Sequence, residues 1–231
     1  MDRNLGAMDT NNPNGGVGSV YYQFGRKDPF EGGTLYKPDG TKISISNIAW
    51  NSDVITTKSN EKGKNVPYSV QNPLKFITGS TWTTGDQYCP AGGGDFMWQD
   101  PKASPSADGK VKKSIFDPCP SGWMVPMSDT WMGVSNTKCV SDKAGVHGSG
   151  RYYYPDKATH PNDYIFYPAN GYRDASNGAI GNTRDYGICS SCSPQSLEAY
   201  CFYYATINNY CDIFTTPRAR GCPVRCIQEY F

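Results

Sequence analysis

Apolar and polar residues alternate only over short stretches of this chain, a pattern typical of short β-strands joined by long loops. The clearest alternation lies in Ala199–Tyr204. There we expect Phe202 and Tyr204 to face the core, because successive side chains of a strand point to opposite faces. Cys201 and Tyr203 would then face solvent. Further short strands are predicted over 19–24, 42–48, 164–167 and 224–227.

Two short helices are predicted beside these strands. The first covers 126–133, where Ser128 or Asp129 can cap the start and Gly133 can end the helix. The second lies near 194–199. No segment is typical of a long linker and no fixed-period repeat is present. We therefore predict one loop-rich domain over 1–231, either α+β or mostly β.

Composition agrees with a loop-rich domain and narrows the function classes. The chain has 25 Gly, 17 Pro and 13% aromatic residues, which indicates ordered loops and short strands. Charged residues make up 19% and the formal net charge is +1, so the basic excess of a nucleic-acid-binding domain is missing. No apolar run approaches the ~20 residues of a membrane helix, so we expect no membrane insertion.

Nine cysteines in a polar, Gly-rich chain favour an exported protein. The residues after Met1 carry neither the basic nor the apolar part of a signal peptide. We therefore expect the sequence to be one domain of a longer exported protein. The alternative is a cytosolic protein with nine free thiols. Because nine is odd, at least one thiol is unpaired or pairs with another molecule.

Five ordered phrases point to a family: DRNLGA at 2–7, YYQFGRKDPF at 21–30, DPCPSGWMVP at 117–126, YPANGYRD at 167–174 and PVRCIQE at 223–229. Together they resemble the FISUMP (major paralogous) domain of exported surface proteins from Bacteroides-type bacteria. The resemblance implies a C-type-lectin-like fold, which is a loop-rich α+β domain with short antiparallel sheets and two helices. It also implies an adhesin at the cell surface, outer membrane or pilus tip. Pilus subunits would be contacted through a part N-terminal to this sequence. The chain departs from the family at Met124, which usually is Arg, and at 189–191, where members often have W-S-S.

The resemblance also implies a disulfide. Cys119 and Cys226 lie in two of the family phrases, and we expect them to pair. The alternative is a pair of buried free thiols. Cys89 and Cys139 could form a second bridge.

Catalytic and metal-binding motifs are weak in this sequence. Cys189-x-x-Cys192 has the spacing of a metal or redox site, and Cys201 and Cys211 could complete a zinc set. We favour variable-loop cysteines, with a mutual disulfide as one arrangement. Neither Glu-Pro-Asn nor Gln-Pro-Asp nor Trp-Asn-Asp occurs, so we expect no lectin-type calcium site, and no cofactor.

An enzyme is the weaker alternative. The motifs of serine hydrolases, zinc proteases and P-loop proteins are absent from the sequence. The related formylglycine-generating fold uses a cysteine pair with copper, for which Cys222 and Cys226 are candidates. Cys226 is already assigned to the family disulfide, so we expect no enzymatic activity.

Residues 172–222 resemble the variable region that diversity-generating retroelements mutate in C-type-lectin-like proteins. Such mutagenesis turns AAY codons into NNY codons, which cannot encode Met, Trp, Lys, Gln or Glu. None of these types occurs over 200–216, and no basic residue occurs over 185–217. The mixture of Tyr, Asn, Ser and Thr is similar to an antibody paratope.

We therefore expect an exposed ligand-binding face built from 186–192 and 201–216. Its ligand would be a protein or glycan on a host or bacterial surface. The predicted ligand-binding residues are Tyr186, Ile188, Cys189, Cys192, Cys201, Tyr203, Thr206, Asn208, Asn209, Tyr210, Cys211, Ile213 and Phe214. Two alternatives stay open: a Tyr-rich sheet core, and a structural pilin module whose Tyr-rich stretch is buried against the next subunit.

Overall fold

The computed structural model describes residues 1, 3–6, 20–30, 32, 35–36, 42–43, 53–56, 65–78, 95–100, 111–134, 139–142, 150–208 and 210–229. Most of these residues belong to short strands or the turns between them. In chain order the elements are β1 (Tyr21–Tyr22), β2 (Leu35–Tyr36), β3 (Lys42–Ile43), β4 (Asp53–Thr56), α1 (Asn65–Gln71), β5 (Lys75–Thr78), β6 (Trp123–Met124), a 3-10 helix (Ser128–Trp131), β7 (Cys139–Asp142), β8 (Gly150–Tyr153), β9 (Ile165–Pro168), β10 (Tyr172–Arg173), β11 (Ile180–Gly181), β12 (Tyr186–Gln195), β13 (Glu198–Ala205), β14 (Cys211–Pro217), β15 (Cys222–Pro223) and β16 (Ile227–Gln228).

The predicted α+β class with two helices is wrong. In the described part of the chain, helix is confined to the seven residues of α1 and the four of the 3-10 helix. The protein is mostly β there, and the expected C-type-lectin-like arrangement with two helices is not seen. α1 contains Pro67 and was not predicted, because proline near a helix start is also typical of a loop.

Neither predicted helix forms as an α-helix. The segment 126–133 forms only the 3-10 helix, and its N-cap is Met127 without a side-chain hydrogen bond, so neither Ser128 nor Asp129 caps it. Its start is held by the Ser128 amide, which donates to Ser193 Oγ at 3.0 Å. The segment 194–199 is the hairpin between β12 and β13, where Ser196 turns the chain at a φ of 53°.

The central sheet consists of β12, β13 and β14, paired antiparallel in that order. Ile188 lies opposite Tyr203, and Cys201 lies opposite Phe214. Aromatic and β-branched residues make up about half of β13 and β14, and such side chains pack well on a pleated surface. A bulge shifts the register between Ser190 and Pro194. The predicted strand at 199–204 is confirmed.

One face of the central sheet packs into an aromatic core. Phe202 stacks on Trp131 with ring centroids 5.5 Å apart and meets Tyr167 edge-on at 5.3 Å. Phe202 and Tyr204 are both buried, as the alternation predicts. We refer to this core, formed by Trp131, Tyr167, Cys189, Phe202, Tyr204 and Cys211, as the aromatic core.

The other predicted strands are confirmed in part. β9 lies at 165–168, close to the predicted 164–167, whereas the run 19–24 contributes only the two residues of β1. The run 224–227 is not a strand; β15 ends before it and β16 begins at Ile227. β3 covers the start of 42–48, and residues 44–48 lie outside the described residues.

The disulfide expected between Cys119 and Cys226 is confirmed. Their Cα atoms are 5.9 Å apart and the bridge joins positions 107 residues apart in sequence. Beside it, the buried Asp117 carboxylate accepts hydrogen bonds from the Cys119 amide at 2.7 Å and the Val125 amide at 2.9 Å. Asp117 therefore fixes both chain segments next to the bridge.

Asp117 should make stability fall as the pH rises from about 4 to 7. Burial raises the pKa of this carboxyl to about 6, although two amides and Lys113 act against it. The folded state then holds a proton that the unfolded state, with a pKa of ~3.9, releases earlier. The contribution is fully present below pH ~4 and is lost through pH 6, a change of up to ~2–3 kcal/mol.

Chemical denaturation of the wild type and Asp117→Asn at pH 4, 5, 6 and 7 measures this contribution. The variant has no titrating group at 117, so its free energy of unfolding should change less over this range. Equal pH dependence of the two proteins would show that Asp117 does not titrate as described.

Candidate functional site

A pocket of about 450 Å³ lies on the face of the central sheet opposite the aromatic core. Ile188 and Cys201 form its buried floor, and each adjoins a residue of the aromatic core, Cys189 or Phe202, that points the other way. We call it the Tyr203 pocket. Its described lining residues are Ile188, Cys201, Tyr203, Asn208, Tyr210, Phe214, Thr215, Thr216 and Arg220.

Tyr203 is the centre of the aromatic wall of this pocket. Its ring centroid lies 5.6 Å from Tyr186, 6.0 Å from Tyr210 and 6.2 Å from Phe214. Tyr186 and Tyr203 sit on adjacent antiparallel strands, where same-face side chains come close enough to touch. The Tyr210 hydroxyl donates to Asp212 Oδ2 at 3.1 Å. The wall is thus preassembled from three segments of the hairpin sheet.

Tyr203 presents a neutral hydroxyl. Burial, with the neighbouring hydroxyls of Tyr186 and Tyr172, raises the pKa of Tyr203 well above its ordinary value. Burial likewise raises the pKa of the Cys201 thiol well above 9. Both groups therefore stay protonated near neutral pH. The pocket offers hydroxyl groups and aromatic surface, and Cys201 is a poor nucleophile.

Six of the predicted ligand-binding residues line the pocket: Ile188, Cys201, Tyr203, Asn208, Tyr210 and Phe214. Tyr186 contacts the pocket through Tyr203. Phe214 is 51% exposed at the rim. The prediction that Cys201 faces solvent is wrong, because Ile188 and Cys222 cover it. Asn209 lies outside the described residues.

The remaining predicted ligand-binding residues point away from the pocket. Cys189 and Cys211 are buried in the aromatic core, with the partly buried Ile213 beside them. Cys192 belongs to a separate core cluster with Trp98 and Val224. Thr206 is buried and its hydroxyl donates to the Arg184 carbonyl at 2.9 Å. Strand alternation accounts for Cys189, Cys211 and Ile213, since each is next in sequence to a residue whose side chain points to the opposite face of the sheet.

The expected interpretation of Cys189-x-x-Cys192 as loop residues is also wrong. Both lie in β12 as buried free thiols, and they belong to different core clusters, with Cys189 before the bulge and Cys192 within it. Burial raises the pKa of Cys189 to about 11 and that of Cys192 to about 12, so neither is a thiolate near neutral pH. In the described residues, no group of three or more His, Cys, Asp or Glu could hold a metal ion.

The cysteine pair considered for copper chemistry is not free. Cys226 is in the disulfide, and Cys222 is a separate buried thiol. Burial raises the pKa of Cys222 to about 12. The second predicted bridge, between Cys89 and Cys139, lies outside the described residues, because these include neither Cys89 nor the side chain of Cys139.

Arg220 is the main lining residue that sequence reasoning missed. Arg218 is buried and ion-paired with Asp95, and it donates to the Glu198 carbonyl at 3.0 Å. This anchors the turn after β14, in which the Arg220 amide donates to the Pro217 carbonyl at 2.9 Å. Arg220 is thereby turned back over the sheet, with its Cζ 4.3 Å from the ring centroid of Tyr172.

Arg220 and Tyr172 both fall within the predicted variable region 172–222. The sequence signal closest to this finding is the pair Arg218 and Arg220, which directly follows the last strand of the central sheet. Residues that follow a strand lie at the edge of the sheet. Thr215 and Thr216 of β14 were missed as well.

A second pocket, of about 290 Å³, lies beside the disulfide and is lined in part by Trp131, Tyr167 and Arg225. Arg225 donates to Asn4 Oδ1 at 3.0 Å and to the Phe166 carbonyl at 2.7 Å. Arg225 therefore ties β9 to the N-terminal residues and has a structural role. The predicted ligand-binding residues do not line this pocket.

None of the helices in the described ranges is long and apolar enough to cross a membrane. Compared with known proteins, the chain matches no family model, no curated protein sequence and no solved structure. The FISUMP resemblance therefore stays a prediction carried by the five sequence phrases.

Proposed function

We propose that this protein is a non-enzymatic ligand-binding domain of an exported adhesin, displayed at the cell surface or pilus tip, and that it binds through the Tyr203 pocket. The observation that carries the proposal is that one pocket is lined by six of the ligand-binding residues predicted from the sequence. Aromatic side chains concentrate binding energy in such contact patches.

The position of the pocket residues also supports a diversified binding face. Tyr203, Asn208, Tyr210 and Phe214 belong to the stretch that lacks the five residue types excluded by adenine mutagenesis. Their side chains lie on the pocket face of the sheet, so exchanging them would alter the binding surface while the aromatic core stays intact. Comparison of sister genes tests this: changes should concentrate at the pocket positions and spare Phe202 and Tyr204.

A structural pilin module is the second candidate. Phe214 is 51% exposed, and Ile207, on the loop after β13, is 49% exposed. A neighbouring subunit could cover both. In that case the purified chain should self-associate through this surface, and the association should be lost in Phe214→Ala.

Truncating the pocket rim should abolish binding without unfolding the protein. The Tyr210→Ala/Phe214→Ala double variant removes two rim aromatics, and truncated aromatic anchors can cost ~2 kcal/mol or more of binding energy. Phe214 is 51% exposed and Tyr210 is half-buried, and surface substitutions typically cost under ~0.5 kcal/mol of stability each, so the melting temperature should shift by only a few degrees. The measurement is the affinity for hits from an array of host and bacterial surface glycans and proteins.

Phe96→Ala is the matched control, because Phe96 is 46% exposed and does not line the pocket. It should bind array hits as the wild type does. If the double variant binds as tightly as Phe96→Ala, the ligand site lies elsewhere on the protein.

A further inference from the structure

We infer that the Tyr203 pocket receives an acidic side chain of a protein partner, whose carboxylate pairs with Arg220 while a neighbouring apolar side chain lies against Tyr203 and Phe214. This inference rests on the proposed function and specifies its ligand. It concerns a residue that lies outside the predicted ligand-binding set.

Arg220 is the one charged side chain among the described residues that line the pocket. None of the described carboxylates forms an ion pair with it, whereas Arg218 two positions earlier is paired with Asp95. Its Nε is buried without a hydrogen-bond partner in the described structure. A guanidinium keeps its charge at all physiological pH values and has five donors in a fixed fork. Because Arg220 lines the pocket, its charge lies within reach of a ligand carboxylate bound there.

Asp174, whose charge interacts with that of Arg220 without an ion-pair contact, and Asp212 are both used locally. Asp174 Oδ1 accepts the Ser176 amide at 2.8 Å and also the Ser176 hydroxyl. Asp212 accepts the Tyr210 hydroxyl at 3.1 Å and its neighbour Ile213 amide at 2.8 Å. In the register Asp212 lies opposite Tyr203, two positions before Phe214 on the same strand. Neither carboxylate neutralises Arg220 by direct contact.

The rest of the pocket favours a protein segment over a sugar. Ile188 and Cys201 give the floor apolar surface and no strong hydrogen-bonding group. The rim continues into the exposed Phe214 ring. The hydroxyl and amide groups of the pocket lie beside this floor and not on it, so sugar hydroxyls over the floor would lose their hydrogen bonds to water, whereas an apolar side chain there loses none. An acidic residue beside an apolar one matches both the single cation and the apolar surface.

The stacking of Arg220 on Tyr172 favours recognition of a carboxylate by the shape of the guanidinium and not by its charge alone. Its Cζ lies 4.3 Å from the Tyr172 ring, and the Tyr172 hydroxyl accepts Asn182 Nδ2 at 2.8 Å. The stacked ring restricts the guanidinium, so less side-chain entropy is lost when the fork engages a carboxylate. Arg220→Lys should therefore weaken binding, although it keeps the charge.

The test uses a library of random heptapeptides displayed on phage, selected in parallel against the wild-type chain, Arg220→Met, Phe214→Ala and Phe96→Ala. Each enriched peptide is synthesised with its acidic residues and with the corresponding amides. Affinities are measured at low and high salt. Circular dichroism and the melting temperature establish that each variant is folded, and the acid-to-amide comparison on the wild type stands even if one variant is not.

We expect wild-type and Phe96→Ala selections to enrich peptides with Asp or Glu next to an aromatic or aliphatic residue. The amide forms should bind the wild type at least tenfold more weakly, and this difference should vanish in Arg220→Met. Salt should weaken the acidic peptides more than their amides, because it screens the ion pair. Phe214→Ala should weaken both forms.

Three outcomes would overturn the inference. If uncharged peptides bind, and their binding needs Phe214 but not Arg220, the pocket remains the ligand site but the ligand is not acidic. If the peptides bind Phe214→Ala and Arg220→Met with the same affinity as the wild type, the pocket is not the ligand site, and the proposed function fails with it. Neutral and carboxylated glycans are tested on a parallel array. If carboxylated glycans bind through Arg220 and no peptide binds, the partner is an acidic sugar and not a protein.

Discussion

Replacing Cys119 and Cys226 together by Ala should destabilise the protein by ~4–5 kcal/mol. The bridge joins positions 107 residues apart, and a loop of this length gives the largest stabilisation in the chain-entropy account of disulfides. A domain is typically stable by only ~5–15 kcal/mol, so the double variant should lose a large share of its stability. For a chain of this size the melting temperature should fall by ~10–20 °C. Denaturant unfolding of both proteins measures the difference.

Cys222→Ala is the matched control, because Cys222 is a buried cysteine without a bridge. It loses one small side chain and keeps the cross-link, so it should cost far less than the double variant. Equal costs for the two would show that the cross-link adds nothing beyond packing. Peptide mapping without reduction should also recover Cys119 and Cys226 in one linked peptide.

The alternation in 199–204 predicted the core face of β13 but not the burial of the opposite face. A period of two fixes which residues point the same way, so Phe202 and Tyr204 could be assigned together. Whether the other side is covered depends on segments distant in sequence. Cys201 is buried because Ile188 from β12 and Cys222 from β15 pack over it. Nothing in the local pattern around Cys201 indicates those contacts.

The helix predicted at 194–199 from local helix propensity is wrong for a related reason. The residues Gln195, Leu197, Glu198 and Ala199 are good helix formers, but propensity is a weak prior that tertiary context overrides. Here Gln195 pairs with Glu198 across a two-residue turn, and the flanking strands continue into the central sheet. The pairing of two long strands outweighs the few tenths of a kcal/mol per residue that a short helix could offer.

The candidate site was predictable as a segment and not as a list of side chains. A stretch without basic residues and rich in Tyr and Asn forms the strands beside the pocket, and six of its thirteen predicted residues line that pocket. Alternation sends Cys189, Cys211 and Ile213 to the aromatic core. Arg220 could not be placed, because its position depends on the ion pair between Arg218 and Asp95 that anchors the turn.

The clearest separation of core from binding surface should come from two phenylalanines on neighbouring strands of the central sheet. Phe202→Ala should cost ~3–5 kcal/mol of stability, as large-to-small substitutions of buried aromatics do. Phe202 is 2% exposed and contacts Trp131, Tyr167 and Tyr204. Phe214→Ala should cost under ~0.5 kcal/mol, because the ring is 51% exposed.

Both variants are compared by denaturant unfolding with the disulfide intact and by affinity for the same array or library hits. Phe214→Ala should keep the fold and lose affinity, whereas Phe202→Ala should lose stability and, where still folded, keep the pocket side chains in place. The two effects are separable because the residues face opposite sides of one sheet. If Phe214→Ala lowers stability as much as Phe202→Ala, its ring is buried in solution, by this chain or by a second copy. The pocket face would then be a packing surface, as a pilin module requires, and the ligand site would have to be sought elsewhere.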